Sequence, residues 1–259
     1  MLEVFSIGLY TFLLAWTGVE SVRYWVERQQ VLAIPNERSS HTRPTPTGGG
    51  LAILLTTLLG LMTLALFQRS LSSALWGYIA GGFAIGVVSW LDDLYMLPSR
   101  TRLVIHLMVA AVTLFLIGHL HSIVLPFTLT ISLGWFGLFP TLIWLVALTN
   151  IYNFMDGIDG LAGGQAAIAG LGWAIFGYWS GQPLLLALGL IVAASNLGFL
   201  FHNWAPARIF MGDVGSAFLG YTFAVLTILA AQQDGRFVII GALLVWPFLF
   251  DATFTLIRR

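Results

Sequence analysis

Four polar side chains at a spacing of three, Asn150, Asn153, Asp156 and Asp159, stand between two long apolar runs in the stretch Asn150 to Ala162. Only 8% of the chain is charged, so carboxylates there need a reason. A spacing of three sets alternate polar groups near one face of a helix end. Gly157 and Gly160 let the backbone leave the helix and come close to a ligand. The same stretch also suits a polar turn between two membrane spans, but ionisable groups at membrane depth usually carry function.

Two further stretches have the same character. The first is Leu91-Asp92-Asp93-Leu94-Tyr95-Met96-Leu97-Pro98-Ser99-Arg100-Thr101-Arg102, at the end of an apolar run. Two adjacent carboxylates repel each other and face the negative pole of their helix. A magnesium ion or Arg100 and Arg102 would offset them, and a solvated acidic turn is the plain alternative. The second runs from His202 to Ser216, with Asp213 between Gly212 and Gly215 at the apparent start of another apolar run. A carboxylate there can hold a cation while nearby free amides face phosphate oxygens. It would serve equally as a helix N-cap. An earlier loop, Arg23 to Thr47, carries His41, Arg43, Pro44 and Pro46 before Gly48-Gly49-Gly50 and also reads as an ordinary solvated linker. His106 fits an interhelical partner, and the pair His119 and His121 lacks a third ligand, so no metal site is expected there.

The elements that must position these residues follow from composition. With 259 residues, 58% of them hydrophobic, the chain has too little polar surface to cover a soluble globule. Its apolar runs exceed the roughly 20 residues that cross a bilayer and are continuous rather than alternating, so an all-α, polytopic transmembrane bundle is expected, not a barrel. Nine spans are expected, at about 4–22, 51–67, 71–91, 103–118, 134–152, two within the uncharged stretch 160–207, 216–232 and 237–257, forming a single integral membrane domain over 1–259. The segment Ser122 to Ser132 suits a short strand or hairpin, and Asp251 lies inside the last span. The first run lacks a basic leader and a cleavage site and reads as a retained span.

Alternation through nine spans puts the loops 23–47, 92–102, 153–160 and 202–215 on one side. Nine of the eleven basic residues, all arginine, fall on that side, and only Arg69 and Arg236 fall opposite. By the positive-inside rule that face is cytoplasmic. Each acidic or amide motif lands on it, which independent polar turns would not do. Zero net charge implies no nucleic-acid partner. The absence of cysteine excludes thiolate metal sites. Carboxylates, amides, arginines and glycine-flanked turns suit magnesium and phosphate better than zinc, and phosphoryl transfer needs such a set.

These motifs resemble the polyprenyl-phosphate N-acetylhexosamine-1-phosphate transferases, glycosyltransferase family 4. The resemblance rests on Asp92-Asp93, on Asn150-x-x-Asn153-x-x-Asp156-Gly-Ile-Asp159-Gly-Leu-Ala, and on Asn203 ten residues before Asp213 in Phe210-Met-Gly-Asp-Val-Gly-Ser216. It implies transfer of a sugar 1-phosphate from a UDP-N-acetylhexosamine to undecaprenyl phosphate with release of UMP, dependent on Mg2+, at the cytoplasmic face of a bacterial inner membrane. It implies further that Asp213 ligates the ion with Asn153 nearby and that Asp92 and Asp93 are catalytic, at the reacting phosphates. Asn150, Asp156, Asp159 and Asn203 would shape the nucleotide-sugar site, with His41 and Arg43 in the first cytoplasmic loop; Thr47 stands where many relatives carry arginine. Membrane lipid and a second copy of the chain, as a homodimer, complete the expected partners.

Within the family, peptidoglycan enzymes usually carry a lysine after the paired aspartates. This chain has none, which points to the lipopolysaccharide and O-antigen initiating branch. A phospho-N-acetylmuramoyl-pentapeptide transferase-like enzyme is the alternative. Relatives continue past a segment like Phe250 to Arg259 into a histidine-bearing loop and further spans, so a C-terminally truncated form with little activity, or an inactive membrane remnant, is expected should the natural chain end there. A transporter would bury its polar residues halfway across the bilayer; here they cluster at one surface.

Overall fold

The computed structural model describes residues 2–35, 43–68, 72–126 and 129–258. Among them the chain forms ten α-helices: α1 Leu2–Arg28, α2 Gly50–Gln68, α3 Ser73–Tyr95, α4 Ser99–Ile117, α5 Leu138–Met155, α6 Leu161–Trp179, α7 Pro183–Asn203, α8 Asp213–Ala231, α9 Phe237–Leu244 and α10 Trp246–Arg258. Two short antiparallel pairs accompany them, Leu32–Ala33 with Thr45–Pro46 and Ser122–Val124 with Thr130–Ser132. The second pair is the hairpin that alternation in the sequence suggests.

The all-α expectation holds, and each expected span coincides with a helix or, in the last case, a helix pair. The count of nine crossings is not confirmed. Among the described residues six helices are long and apolar enough to cross a membrane, or seven if α9 and α10, bent by 73° at their junction, count as one. The apolar stretch of α2, Gly50–Leu66, is shorter, and glycine- and alanine-rich α6 is not among the six. The protein is a multi-pass membrane protein. Large apolar side chains such as Phe115, Trp135, Phe139, Ile168 and Trp179 are exposed on its perimeter, which is the arrangement a lipid solvent permits.

Helix α8 is the axis. It is buried along nearly its whole length and packs on α5, α3, α2 and α9. In lipid, helix association rests on close packing and interhelical hydrogen bonds rather than on expulsion of water. Both devices are present. A side chain on Gly50 of α2 would lie 2.2 Å from the Gly215 Cα of α8, so the two backbones touch where neither carries a β-carbon. The buried hydroxyls of Tyr78 and Tyr221 are paired, with Thr222 at 3.1 Å and Thr113 at 2.9 Å.

Candidate active site

The N-terminus of α8 organises the polar end of the bundle. Four free backbone N–H groups face outward from any helix start and favour negative charge. Here the carboxylate that meets them comes from another helix. Asp93, in the last turn of α3, accepts from the backbone N–H of Asp213 at 3.0 Å and of Val214 at 3.2 Å. The N-cap position itself is Gly212, which makes no side-chain hydrogen bond. Asp213 therefore occupies the first helical position, and its side chain is released from capping to point at other partners.

Those partners are found at the junction of α3 and α4. Asp92 is buried; its Oδ1 accepts from the Leu97 N–H at 2.7 Å and its Oδ2 from Arg102 Nη1 at 2.6 Å. The same Arg102 nitrogen lies 3.2 Å from Asp213 Oδ2. One guanidinium thus ties two carboxylates that are 121 positions apart in sequence. Of the two arginines the sequence offered as counter-cations, Arg102 fills that place and Arg100 is exposed.

Helix α5 delivers the central motif to the same point. Asn153 donates to Ser216 Oγ of α8 at 3.1 Å and lies within hydrogen-bonding reach of the Asp213 carboxylate. Asp156 follows directly after the end of α5. Burial pushes its carboxyl up to about 7, and the charges of Asp213 and Asp93 add to the shift. Asn150 points elsewhere. Its amide nitrogen donates to Val146 O at 2.7 Å and meets His106 Nδ1 of α4 at 3.2 Å, so it joins α4 to α5 beside the cluster. His106 is thus interhelical, and its buried Nε2 has no hydrogen-bond partner among the described residues.

Asp159 and Asn203 hold loops together. Asp159 Oδ2 accepts from the Ala207 N–H at 2.9 Å. Asn203 uses both ends of its amide, accepting from the Gly160 N–H and donating to the Ile209 carbonyl, each at 2.9 Å. The loop after α5 is thereby latched to the loop before α8. The first loop joins them through the backbone: Phe210 N–H donates to Pro46 O at 2.8 Å, Gly49 N–H to Phe210 O at 2.9 Å and Gly50 N–H to Met211 O at 2.8 Å. Gly212, at φ 75°, lies where an added β-carbon would sit 2.8 Å from Asp93 Oδ2 and 3.0 Å from Thr47 Oγ1. Arg43 is exposed, and His41 falls outside the described residues.

The structure therefore brings Asp92, Asp93, Asn153, Asp156 and Asp213 together, sets Asn150 at their flank through His106, and gives Asp159 and Asn203 structural duties. What the sequence left open was the bridging role of Arg102, the pairing of Asn150 with His106 and the partnership of Asn153 with Ser216. The spacing of Arg102 and His106, four apart on α4, was the one available signal that both face the same way.

Among the described residues of this cluster there are four carboxylates, and Arg102 contacts two of them, Asp92 and Asp213. Such a set of hard oxygen donors suits a hard divalent cation. Among the described residues no group of three or more acidic or histidine side chains is gathered closely enough to hold an ion alone. Carboxylates and an amide are donors of the kind Mg2+ accepts, an ion usually held by one or two carboxylates with water and phosphate oxygens completing the shell.

A profile of glycosyl transferase family 4 matches residues 75–231, which include Asp92, Asp93, Arg102, the central motif and Asp213. The chain is 36% identical over 228 residues to a probable undecaprenyl-phosphate N-acetylglucosaminyl 1-phosphate transferase of Bacillus subtilis, covering 87% of this chain and 63% of that protein. It is 30% identical over 253 residues to the phospho-N-acetylmuramoyl-pentapeptide-transferase of Streptococcus pneumoniae (strain D39), covering 93% of this chain and 77% of that protein. The chain thus spans less than two thirds of the length of the B. subtilis relative. The match over more than half of its residues establishes that this protein belongs to glycosyl transferase family 4.

Proposed function

We propose that the protein transfers an N-acetylhexosamine 1-phosphate, GlcNAc-1-phosphate in the first instance, from a UDP-sugar to undecaprenyl phosphate. A phosphate oxygen of the lipid forms a bond to the sugar-bearing phosphorus of the donor, and the bond from that phosphorus to the bridging oxygen breaks. UMP leaves with the bridging oxygen. The product would start a cell-envelope polysaccharide such as O-antigen, made at the cytoplasmic face of a bacterial inner membrane. The arginine distribution supports that orientation.

The observation that carries the reading is the contact of Arg102 with both Asp92 and Asp213 beside Asp93 and Asp156. A diphosphate brings more negative charge to a place already rich in it, so a cation must accompany it. Asp213 and Asn153 would hold Mg2+, which when bound neutralises phosphate oxygens. Arg102 can exchange its weaker contact with Asp213 for a phosphate oxygen while keeping Asp92. Asp93, fixed on the α8 amides, holds the helix start in place for that exchange. Without a bound cation, burial and the charges of Asp213 and Asp93 hold the Asp156 carboxyl near 7. For the lipid, an apolar cavity of about 210 Å3 between α5 and α10 begins at Asn150 and is lined by Ile151, Phe154, Ala252, Thr255 and Leu256.

The test is radiolabelled transfer from UDP-GlcNAc to undecaprenyl phosphate, with Mg2+ and with chelator. Transfer that needs the ion and is lost in both Asp93→Asn and Asp213→Asn is expected, and unchanged turnover in both variants refutes the assignment. The 30% identity to the pentapeptide transferase favours one second reading. A parallel reaction with UDP-N-acetylmuramoyl-pentapeptide decides between the two donors.

A further inference from the structure

The junction of α9 and α10 interrupts the backbone ladder at one place. Pro247 has no N–H to donate. The Phe248 N–H, which in a continuous helix would reach the carbonyl of Leu244, turns to the Val245 carbonyl at 3.1 Å, and the Val245 N–H closes on Leu243. The Leu244 carbonyl is left for another donor. It is taken by Gln165 of α6, whose Nε2 donates to it at 2.6 Å. A second feature joins the same two elements: the Leu244 side chain packs onto Gly172, where an added β-carbon would lie 2.3 Å from Leu244 Cδ2 and displace it.

Gln165 sits four residues after the start of α6, directly behind the 156–160 loop. The elbow it grips turns the chain by 73° into α10. Residues Ala252, Thr255 and Leu256 of α10 then form one wall of the cavity whose other wall is Asn150, Ile151 and Phe154 of α5. A break in a helix away from water is tolerated when a neighbouring side chain satisfies the freed carbonyl. Without that partner the carbonyl would be unpaired or the elbow would move.

We propose that Gln165 is a positioning residue for the lipid acceptor: by holding the Leu244 carbonyl it sets the angle of α10 and thereby the width of the cavity beside Asn150. The functional part of this inference rests on the transferase reading above, whereas the structural part does not. The chain has no cysteine, so a clean spin-label pair can be placed at the exposed positions Ile168 on α6 and Ile257 on α10. The whole chain carrying Ile168→Cys and Ile257→Cys, in lipid nanodiscs, should give one narrow distance distribution. Gln165→Met, which keeps the length and loses the donor, and Gln165→Asn, whose amide is one methylene too short, should each broaden and shift it. With the acceptor undecaprenyl phosphate, the same variants should show a KM raised about tenfold, as loss of one hydrogen bond to a buried group allows, with the KM for UDP-GlcNAc unchanged. A distribution indistinguishable from the parent in whichever variant yields folded protein overturns the proposal. If the parent transfers nothing, the transferase reading fails, and the distance measurement still decides whether Gln165 sets the elbow.

Discussion

Removing Arg102 tests the charge logic of the site most directly. Arg102→Gln keeps a side chain of similar reach and a polar end but deletes the charge that Asp92 and Asp213 share. The Asp92 side chain is 7% exposed, whereas Arg102 and Asp213 are 34% and 35% exposed. Stripping the partner from a fully buried pair costs about 3–5 kcal/mol and from a surface pair about 0–1 kcal/mol. The Asp92 contact lies between these limits, and the longer one to Asp213 lies near the lower. A loss of about 2–3 kcal/mol is therefore expected in chelator. For a domain of this size that lowers Tm by roughly 4–12 °C. The sign then changes in what a divalent cation does. With Arg102 gone, Asp213 no longer shares its oxygen, so Mg2+ should raise the Tm of the variant more than that of the parent. Catalysis should nonetheless fall, since the guanidinium is lost to the diphosphate. Differential scanning fluorimetry in detergent, with chelator and across a magnesium titration, reads all of this. A variant as stable as the parent in chelator, with an identical response to magnesium, would refute the idea that Arg102 stands in for part of the missing positive charge.

Two further outcomes follow from named contacts. Asn203→Ala removes both bonds of the loop latch, to the Gly160 N–H and the Ile209 carbonyl, at a cost of about 2–6 kcal/mol by the usual penalty per buried group; Asn203→Asp keeps only the acceptor and should fall between, and thermal melts showing both variants at parental stability would contradict the latch. The Asp156 carboxyl titrates at about 7 in the fold against an ordinary 3.8. The folded state thus binds the proton more tightly than the unfolded one. Its contribution is full below about pH 4 and is lost as pH rises through about 7. In chelator the parent should accordingly lose Tm over that window more steeply than Asp156→Asn, and a steeper loss in the variant would reverse the assignment.

Much of the site was legible because membrane proteins make polar residues conspicuous. In a chain that is 8% charged, Asp92, Asp93, Asp156 and Asp213 stood out by type, and alternation through the expected spans put their loops on one side of the bundle. Their neighbours were not legible. Asp213 read equally well as a cap or a cation ligand, and the fold takes away the cap role by bringing Asp93 onto the α8 amides. Asp159 and Asn203 matched the motif as strongly as Asn153 did, and in the fold their side chains bond the backbone of Ala207, Gly160 and Ile209. Motif spacing records which residues recur together and carries no information on whether each side chain faces a ligand or a backbone group.

The sequence alone determined the helical class, the membrane setting and the polar end, because each depends on composition and period over tens of residues. It did not determine the number of crossings. Expected spans at α2 and α6 are not among the helices long and apolar enough to cross, and a window that looks continuous across Pro247 turns by 73° there, where the Phe248 N–H leaves the Leu244 carbonyl to Gln165. The tertiary structure decided the pairing of Arg102 with Asp92 and Asp213, since a contact between α3, α4 and α8 depends on how three helices pack, and no local rule relates residues more than a hundred positions apart.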